Sequence, residues 1–562
     1  MRHLLRPFAL LAVGAAAVPA QQPAVDVLRY TFDVTIPDRG SAVRLAATVM
    51  FDRGPGADTL HLDLLAPMRV SEASLGCGSA AAAAPFTHDG RQVHVPLPPL
   101  LALSRAMPGN PQPITIPGRD TLCVTVRYAG EPKDGLIIST DTAGRYRAFG
   151  DNWPNRARHW LATVDHPSDK ALVEWRVEAP AALSVVANGV AAGEAAVAGR
   201  TPARRRTTFV MAQPIPTYLM VIAVAPLVRH DLGATACGIA APGRCTPQAV
   251  YTAPEQARYM PGHFAEADSI LTFFSRLVGP FAYDGLAHLQ SSTRFGGMEN
   301  AGAIFYNDRL FRTPAGVGTG LVAHETAHQW FGDAVTEREW GHLWLSEGFA
   351  TYFAALYTEH AAGDSAFAAE MAGIRRTAIE APEVAERPVI DTAQTDLLAL
   401  LNRNSYQKGG FVLHMLRQQV GDSAFFGALR DYYATFKHGN AVTDQLQAIV
   451  ERHANQELGW FFDQWLRRPG FADVAVSWRH DAANGRVELI VEQGGRFTPY
   501  RLRLPVDLTL ADGTRARVVA EVPAASNATV VLPGRFAARP TALTVDPRAG
   551  VFARITVRGE AR

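Results

Sequence analysis

The spacing of hydrophobic and polar residues changes twice along the chain. From about residue 25 to residue 230, short runs rich in β-branched and aromatic residues are separated by Gly, Pro and Asp turns. Runs of this kind are typical of strands. Examples are RYTFDVTI, AVRLAATVMF, TLHLDLL, TLCVTVRY and ALVEWRVEAP. We therefore predict a large antiparallel β domain in the N-terminal part of the chain.

The middle of the chain has a different pattern. Between about residues 250 and 470, apolar residues recur at helical spacing, as in AEADSILTFFSRLVG and GFVLHMLRQQVG. Strand-like runs return after Pro469, and the roughly 90 residues that follow are enough for one small β-sandwich. The predicted fold class is multidomain α+β, with an N-terminal β domain at 21–230, a mostly helical domain at 231–470 and a C-terminal β-sandwich at 471–562.

The N-terminus has the layout of a secretory signal peptide. Arg2 and Arg6 precede an apolar stretch that ends in the small residues VPA at Ala20. We expect residues 1–20 to be removed and the protein to be exported, to a periplasm or to the outside of the cell. An uncleaved anchor is the alternative, although the apolar run is short for a transmembrane helix. No later segment is long and apolar enough to span a membrane, so we predict no integral membrane segment after cleavage.

Composition and charge narrow the class of protein. A chain of 562 residues is too long for one domain, which suggests three or four. Apolar residues make up 48% and charged residues 19%, an ordinary globular composition. The formal net charge of +1 gives no electrostatic reason to bind nucleic acid, and we expect no nucleic-acid partner.

The four cysteines agree with export. An even number of cysteines in a secreted chain suggests two disulfides. Cys237 and Cys245 flank the short loop GIAAPGR, which closes easily, so we pair them. Cys77 and Cys123, both in strand-like segments, are then paired by elimination. Free buried thiols remain the alternative.

The stretch LVAHETAHQWFGD carries the strongest chemical signal. Residues four apart on a helix differ by about 40° around the axis and about 6 Å along it, so His324 and His328 project from one face. Two imidazoles in this arrangement can bind one Zn²⁺. Glu347, in the helix-like run LWLSEGFATYFAALY, supplies the third ligand, and Glu325 stands where a general base would contact a water molecule. The alternative is a helix that carries two surface or core histidines.

Two further motifs accompany this one. GGMEN includes the G-x-M-E-N pentad from Gly296 to Asn300, and SYQKGG contains the Y-x-K-G segment that begins at Tyr406. With H-E-x-x-H and a glutamate 18 residues later, the order of motifs resembles the gluzincin metallopeptidases of the aminopeptidase N-type zinc metallopeptidase family. The resemblance runs from about residue 140 to residue 475. It implies a thermolysin-like catalytic domain between two β domains. Many relatives add a large helical C-terminal domain that is absent from this sequence, so we expect a cleft that is more open or is closed by another subunit.

The resemblance also implies roles for matching residues. Glu299 would hold the free α-amine of a peptide, because a carboxylate is the natural partner of an ammonium group. Gly296, Gly297 and Met298 would form a backbone edge that lies close to the substrate. Tyr406 would donate a hydrogen bond to the developing oxyanion.

One position departs from the family pattern. Relatives place a Gln or Glu from the β domain near the substrate amine. In FGDNWPNRARHW the two corresponding positions hold Asp151 and Trp153. Asp151 is the candidate for this second amine-binding residue.

The predicted function is therefore a secreted zinc-dependent aminopeptidase with one Zn²⁺. Its partners would be peptides with a free N-terminus, which it would shorten by one residue at a time. A secreted zinc endopeptidase would share the metal ligands but would not need Glu299. A non-catalytic zinc scaffold is the second alternative, and the presence of Glu325 argues against it.

Overall fold

The computed structural model describes most of the chain. The described residues are 24–99, 120–141, 143–312, 314 and 316–560, together with the backbone of 103–105 and 114–116. The predicted signal peptide, residues 1–20, lies outside the described residues. Within the described part, no helix combines the length and the apolar character that crossing a membrane requires.

The N-terminal region is built from β-strands, as predicted. In chain order the strands are β1 (Val25–Thr35), β2 (Val43–Arg53), β3 (Thr59–Asp63), β4 (Arg69–Leu75), β5 (Ala82–Ala83), β6 (Thr87–His88), β7 (Gln92–Pro96), β8 (Leu103–Arg105), β9 (Ile114–Ile116), β10 (Asp120–Gly130), β11 (Gly135–Thr140), β12 (Tyr146–Asp151), β13 (Lys170–Pro180), β14 (Ser184–Ala187), β15 (Val190–Val197), β16 (Arg204–Pro216) and β17 (Ile222–Ala225).

An eight-stranded sheet forms the centre of this region. Its strand order is β15-β16-β13-β1-β2-β10-β4-β5, and a second sheet has the order β11-β12-β17-β14. Neighbouring strands of the large sheet are antiparallel except β1 and β13, which run parallel. Val27, Phe32 and Val34 of strand β1 face the core and are buried there. The predicted Cys77–Cys123 disulfide is present and links β10 to the segment after β4.

The middle region adds seven strands to a largely helical body. The strands are β18 (Val228–Thr235), β19 (Thr246–Thr252), β20 (Leu286–Ser291), β21 (Gly297–Met298), β22 (Ala303–Asn307), β23 (Val335–Glu337) and β24 (Gly439–Ala441). Five of them form a sheet with the order β18-β19-β20-β22-β21, so β21 is an edge strand. The boundary predicted after residue 230 falls inside β18. The predicted Cys237–Cys245 disulfide closes the connection between β18 and β19.

Ten α-helices belong to the same region. They are α1 (Met260–His263), α2 (Ala267–Leu277), α3 (Thr319–His328), α4 (Trp344–Ala362), α5 (Asp364–Ile379), α6 (Pro382–Glu386), α7 (Gly409–Val420), α8 (Asp422–Phe436), α9 (Thr443–Ala454) and α10 (Gly459–Leu466). A π-helical turn at Asn404–Lys408 leads directly into α7. Single 3₁₀ segments lie at Gly78–Ala80, Ala157–His159, Thr217–Leu219, Pro254–Tyr259, Asp308–Arg312, Trp340–His342 and Leu397–Leu400.

Helices α4 and α7 approach each other closely through glycines. A Cβ atom on Gly348 would lie 2.9 Å from the carbonyl carbon of Gly409, and a Cβ on Gly410 would lie 3.1 Å from the Gly348 oxygen. Cβ atoms rarely lie so close to backbone atoms. The two helices can therefore approach this closely because these positions are glycine. The contact matters for the site because Gly348 follows Glu347 directly and Gly409 comes three residues after Tyr406.

The N-terminal region contacts the middle region through hydrogen bonds to its backbone. The Lys170 ammonium donates to the carbonyl oxygens of Asp333 and Ala334 at 2.9 and 3.0 Å. The Tyr218 hydroxyl donates to the Gly332 oxygen at 3.1 Å, and the Asn188 amide donates to the Ala301 oxygen at 2.9 Å. These bonds satisfy backbone acceptors close to α3 and β21.

The C-terminal region returns to strands, as predicted. They are β25 (Ala472–Asp481), β26 (Arg486–Gln493), β27 (Leu502–Thr509), β28 (Arg515–Val522), β29 (Asn527–Val531), β30 (Ala542–Val545) and β31 (Ala553–Glu560). Two sheets have the orders β29-β26-β25-β31 and β28-β27-β30. Alternate residues of β25 and β27 are buried, so each sheet has one apolar face, as a β-sandwich requires.

The glycine contact predicts a stability difference between two helical glycines. Gly348→Ala should lower the free energy of unfolding by about 1–3 kcal/mol, because the added methyl group would push α7 away from α4. Gly373→Ala is the matched control, since a Cβ there meets no atom within 4 Å. Alanine in the interior of α5 should instead stabilise by about 0.5–1 kcal/mol. Denaturant unfolding of both variants would measure this, and equal shifts would contradict the interpretation.

Candidate metal centre and cleft

Three side chains from two helices converge on one point. His324 and His328 lie on α3, which begins after Gly318 and ends at His328, and Glu347 lies in the first turn of α4. The Nε2 atoms of the two histidines are 3.1 Å apart. Glu347 Oε2 lies 3.4 Å from His324 Nε2 and 3.3 Å from His328 Nε2. Three ligand atoms around a tetrahedral zinc at 2.0–2.1 Å would be about 3.3 Å apart, so the triangle fits this ion.

The atoms that face this point lack other strong partners. Glu347 Oε2 is buried and forms no hydrogen bond among the described residues. The other oxygen, Glu347 Oε1, accepts a hydrogen bond from the Tyr406 hydroxyl at 2.7 Å. His328 Nδ1 lies 3.0 Å from Ser346 Oγ and 3.2 Å from the Phe331 oxygen. A proton on Nδ1 leaves Nε2 free to bind a metal, and such outer contacts orient ligands in metal sites.

Glu325 lies against the edge strand β21. Its side chain is buried, and a Cβ atom built on Gly297 would stand 2.2 Å from Glu325 Oε1. A side chain at position 297 would therefore displace this carboxylate. Glu299, Glu325 and His328 each place one ligand-type atom within 4.8 Å of the others. The predicted general base and the predicted amine anchor thus lie beside the metal triangle.

A cleft of about 530 Å³ opens onto these groups. All nine predicted site residues line it, namely Gly296, Gly297, Met298, Glu299, His324, Glu325, His328, Glu347 and Tyr406. The structure thus brings together the three motifs, although the first and the last are separated by more than 100 residues of sequence.

The comparisons with known proteins address the same segment. Residues 266–465, which contain all nine predicted site residues, match the family model described as Peptidase family M1 domain. Aminopeptidase N of Streptomyces lividans is 28% identical over 79% of this chain. The crystal structure of an M1 zinc metallopeptidase from Deinococcus radiodurans superposes with a TM-score of 0.65 and 27% identity, and covers 79% of this chain and 94% of that one.

Residues 266–465 are therefore similar to the M1 peptidase domain. The aminopeptidase N-type resemblance of the sequence is therefore confirmed, and with it the β domain followed by a helical catalytic domain. The chain spans 50% of the length of Streptomyces lividans aminopeptidase N and 34% of human glutamyl aminopeptidase, to which it is 28% identical over 58% of its own length. A mutant of the Deinococcus radiodurans protein is described as bound to a Tyr-Ser-Ala substrate, with 26% identity and a TM-score of 0.64.

Asp151 does not line this cleft. Its side chain is fully buried, and Oδ1 accepts a hydrogen bond from Arg156 Nη2 at 2.8 Å. The other oxygen, Oδ2, lies 3.4 Å from the backbone nitrogen of Arg294. Both oxygens thus face arginines, and Trp153 lines the cleft instead. Asp151 is therefore a poor candidate for the second amine-binding residue, because its charge is already compensated.

One supporting residue was missed from the sequence. The Gln329 amide donates to the Glu299 backbone oxygen at 2.6 Å and to Asp333 Oδ2 at 2.7 Å. Its oxygen accepts from the Gly302 nitrogen at 2.8 Å. Gln329 therefore ties the end of α3 to the segment that carries Glu299. Gln329 follows His328 directly, so its place beside a predicted ligand was visible in the sequence. Two of its three partners, Glu299 and Gly302, are distant in sequence, so its contacts with them were not.

Burial and neighbouring charges shift the pKa values of the site carboxylates. Burial raises the pKa of Glu299 to about 7 and raises that of Glu325 well above its usual value. Burial acts in the same direction on Glu347, but the charges and hydrogen bonds of His328 and His324 outweigh it and hold the pKa of Glu347 near 2. Burial lowers the pKa of His324. Several carboxylates thus compete for little positive charge, which a bound cation would supply.

A second cavity, of about 420 Å³, lies between the helices and the C-terminal sheets. Most of its arginines are already paired, for example Arg417 with Glu359 and Asp422, and Arg517 with Asp507. The glutamates of the first cleft have no lysine or arginine partner among the described residues. For this reason we assign chemistry to the first cleft.

The site predicts a stabilisation by zinc that grows with pH. A carboxylate such as Glu299, whose pKa rises from 4.5 to about 7 on folding, contributes stability that is present below pH 4.5 and lost as pH rises through 7. Zinc opposes this loss, and it also binds better when its ligands are deprotonated. The difference in thermal midpoint between zinc-loaded and chelated protein should therefore increase from about pH 5.5 to about pH 7.5.

His328→Ala is the control for this measurement. The variant lacks one ligand, so zinc should leave its thermal midpoint unchanged at each pH. A zinc-dependent shift of equal size at all pH values in the unsubstituted protein would contradict the prediction.

Proposed function

We propose that the protein is a zinc-dependent aminopeptidase that removes single residues from the N-terminus of peptides. The observation that carries the proposal is the buried Glu299 carboxylate beside the triangle of His324, His328 and Glu347. The names of the relatives support it, since aminopeptidase N of Streptomyces lividans and human glutamyl aminopeptidase are both aminopeptidases. So does the description of the Deinococcus radiodurans protein with Tyr-Ser-Ala, a short peptide.

The metal would be held by His324, His328 and Glu347. When bound, zinc would polarise the scissile carbonyl and acidify a water molecule, which is its usual contribution to hydrolysis. The protein fixes these ligands before the metal arrives: Tyr406 holds one oxygen of Glu347, and Ser346 and the Phe331 oxygen contact His328 Nδ1. Such preorganisation limits the movement that substrate binding requires.

Glu325 is the group that accepts the proton of the attacking water. It lies on α3 between the two histidines that would bind the metal, and its carboxylate lies close to Gly297. Its raised pKa suits a general base, because a group that binds protons more strongly can take one near neutral pH. The same carboxyl group then passes the proton to the nitrogen of the departing peptide.

Glu299 sets the register of the substrate. Its carboxylate would pair with the α-ammonium group, which fixes the first peptide bond at the metal ligands. Edge strand β21 offers backbone groups at Gly297 and Met298 to an extended peptide, which would add to the sheet as a further strand. A peptide without a free N-terminus would leave the Glu299 charge buried and unpaired.

Tyr406 is placed to stabilise charge on the carbonyl oxygen. Its hydroxyl group lies 2.7 Å from Glu347 Oε1, so it stands beside the ligands. It lies on the π-helical turn Asn404–Lys408, and such turns are frequent at functional sites. During the reaction the hydroxyl would turn its proton toward the oxyanion.

Export of the protein is a further part of the proposal. It is supported by the N-terminal sequence of residues 1–20 and agrees with the two disulfides. Fractionation of expressing cells would test it: recovery of the full-length, unprocessed chain in the cytosol alone would contradict export.

Removal of the base should abolish turnover without removing the metal. Glu325→Gln keeps the shape of the side chain but cannot accept a proton, so kcat should fall by about 10²–10⁴-fold. Zinc content, measured by mass spectrometry, should stay near one ion per chain. Wild-type turnover in this variant would show that the base assignment is wrong, and loss of zinc would show that Glu325 supports the ligands instead.

Selectivity for a free amine is the direct test of the proposed function. The wild-type enzyme should hydrolyse alanyl arylamide and not its N-acetylated form, with activity lost on chelation and restored by zinc. Glu299→Gln, which keeps the buried shape without the charge, should lower kcat/KM for the free-amine substrate by about 100-fold.

The outcomes separate the alternatives. Cleavage of acetylated peptides at a similar rate would identify an endopeptidase. Stoichiometric zinc with no cleavage of any peptide would identify a scaffold.

A further inference from the structure

One carboxylate of the cleft has no part in the chemistry described above. Glu370, on α5, lines the cleft and is partly buried. Within the described part of the chain it forms no ion pair and no hydrogen bond. The nearby surface carboxylates differ: Glu359 pairs with Arg417, and Asp364 lies 3.8 Å from Arg548. An unpaired charge that faces a cleft is available to a ligand.

The charge of the cleft favours a second cation on the substrate. No lysine or arginine is found among its described lining residues, whereas four glutamates are: Glu299, Glu325, Glu347 and Glu370. A zinc ion and a substrate α-ammonium group together bring three positive charges to these four carboxylates. Glu299 is assigned to the substrate amine, Glu325 to the proton and Glu347 to the metal. The negative charge of Glu370 is then the one that remains uncompensated.

The position of Glu370 along the cleft indicates which part of the substrate it meets. Glu299 lies beside the metal triangle, because His328 is close to both Glu299 and Glu347. Further along α4, Thr351 and Ala354 line the cleft one and two turns beyond Glu347, and α5 follows with Glu370. A peptide whose amine is held at Glu299 and whose first carbonyl lies at the triangle therefore extends past α4 toward α5.

The surroundings of Glu370 suit a long basic side chain. Ile374 lies one helical turn after Glu370 on the same face of α5, and it also lines the cleft with Ala354. Lysine and arginine carry an apolar stem and a terminal charge. The stem would pack on Ile374 and Ala354 while the cation reaches the Glu370 carboxylate.

We propose that Glu370 makes the enzyme prefer peptides with a basic residue immediately after the scissile bond. The proposal rests on the proposed aminopeptidase function, because Glu299 fixes the direction of the substrate. It names a determinant of specificity on the leaving side of the cleft. Glu370 itself is not required for bond cleavage.

The test compares Ala-Lys-Ala with Ala-norleucine-Ala, which has the same stem without the ammonium group. For the wild-type enzyme, kcat/KM should favour the lysine peptide by about tenfold, a typical effect of one charge-assisted contact in a partly buried site. Glu370→Gln should reduce this ratio to about one, and Glu370→Lys should transfer the preference to Ala-Glu-Ala. The ratio is measured on one preparation, so partial loss of active enzyme does not affect it.

A binding measurement provides a second readout that does not depend on turnover. In the Glu325→Gln background, calorimetry should show the same tenfold preference for the uncleaved lysine peptide, and adding Glu370→Gln should remove it. The preference should weaken at high ionic strength, because salt screens a partly exposed pair. Glu380→Gln is the matched control: Glu380 follows α5, is exposed and does not line the cleft, so the ratio should stay as in the wild type.

The results distinguish this proposal from the proposed function. Equal kcat/KM for the lysine and norleucine peptides, or a preference that survives Glu370→Gln, would overturn the role of Glu370 while leaving the aminopeptidase intact. Failure to cleave any of the free-amine tripeptides would overturn the proposed function itself.

Discussion

The burial of several negative charges around one point is the constraint on which the rest of the structure depends. Glu299, Glu325 and Glu347 are each at most 6% exposed, and Asp333 and Glu337 lie nearby with 1% exposure or less. In a low-dielectric interior such charges destabilise the fold unless opposite charge is supplied. Burial also raises the pKa of Asp333 and Glu337, so the protein itself provides too little compensation. A bound cation would supply the missing positive charge.

Close backbone contact is the means by which the chain holds these groups in place. Gly297 allows the Glu325 carboxylate to lie against the edge strand, and Gly348 allows α7 to approach α4. The second contact sets the distance between Glu347 and Tyr406, which lie on the two elements that meet there. Rigid elements in close contact give a more exact geometry than loops would. The geometry of the site therefore depends on the glycines at these two contacts as well as on the residues that would bind the metal and the substrate.

The sequence predicts the metal ligands better than it predicts their surroundings. The spacing of His324 and His328 follows from helical geometry alone, so it can be read locally. Glu299 and Tyr406 required the family resemblance, because their place beside the metal depends on how β21 and the π-helical turn pack. The roles of Gln329 and Glu370 were not predicted. The role of Gln329 depends on contacts with residues far away in sequence, and that of Glu370 depends on the lack of such contacts. Asp151 was a candidate from its position in the sequence alone, and counting positions does not reveal that its carboxylate faces Arg156.

The hydrogen bonds from Lys170, Tyr218 and Asn188 to the backbone around the site have a consequence for inheritance. They make the β region part of the catalytic body, and Trp153 supplies one wall of the cleft. A gene fragment that encoded the helical segment alone would expose these carbonyls to water and lose that wall. We therefore expect recombination to preserve the site only when it transfers the two regions as a pair.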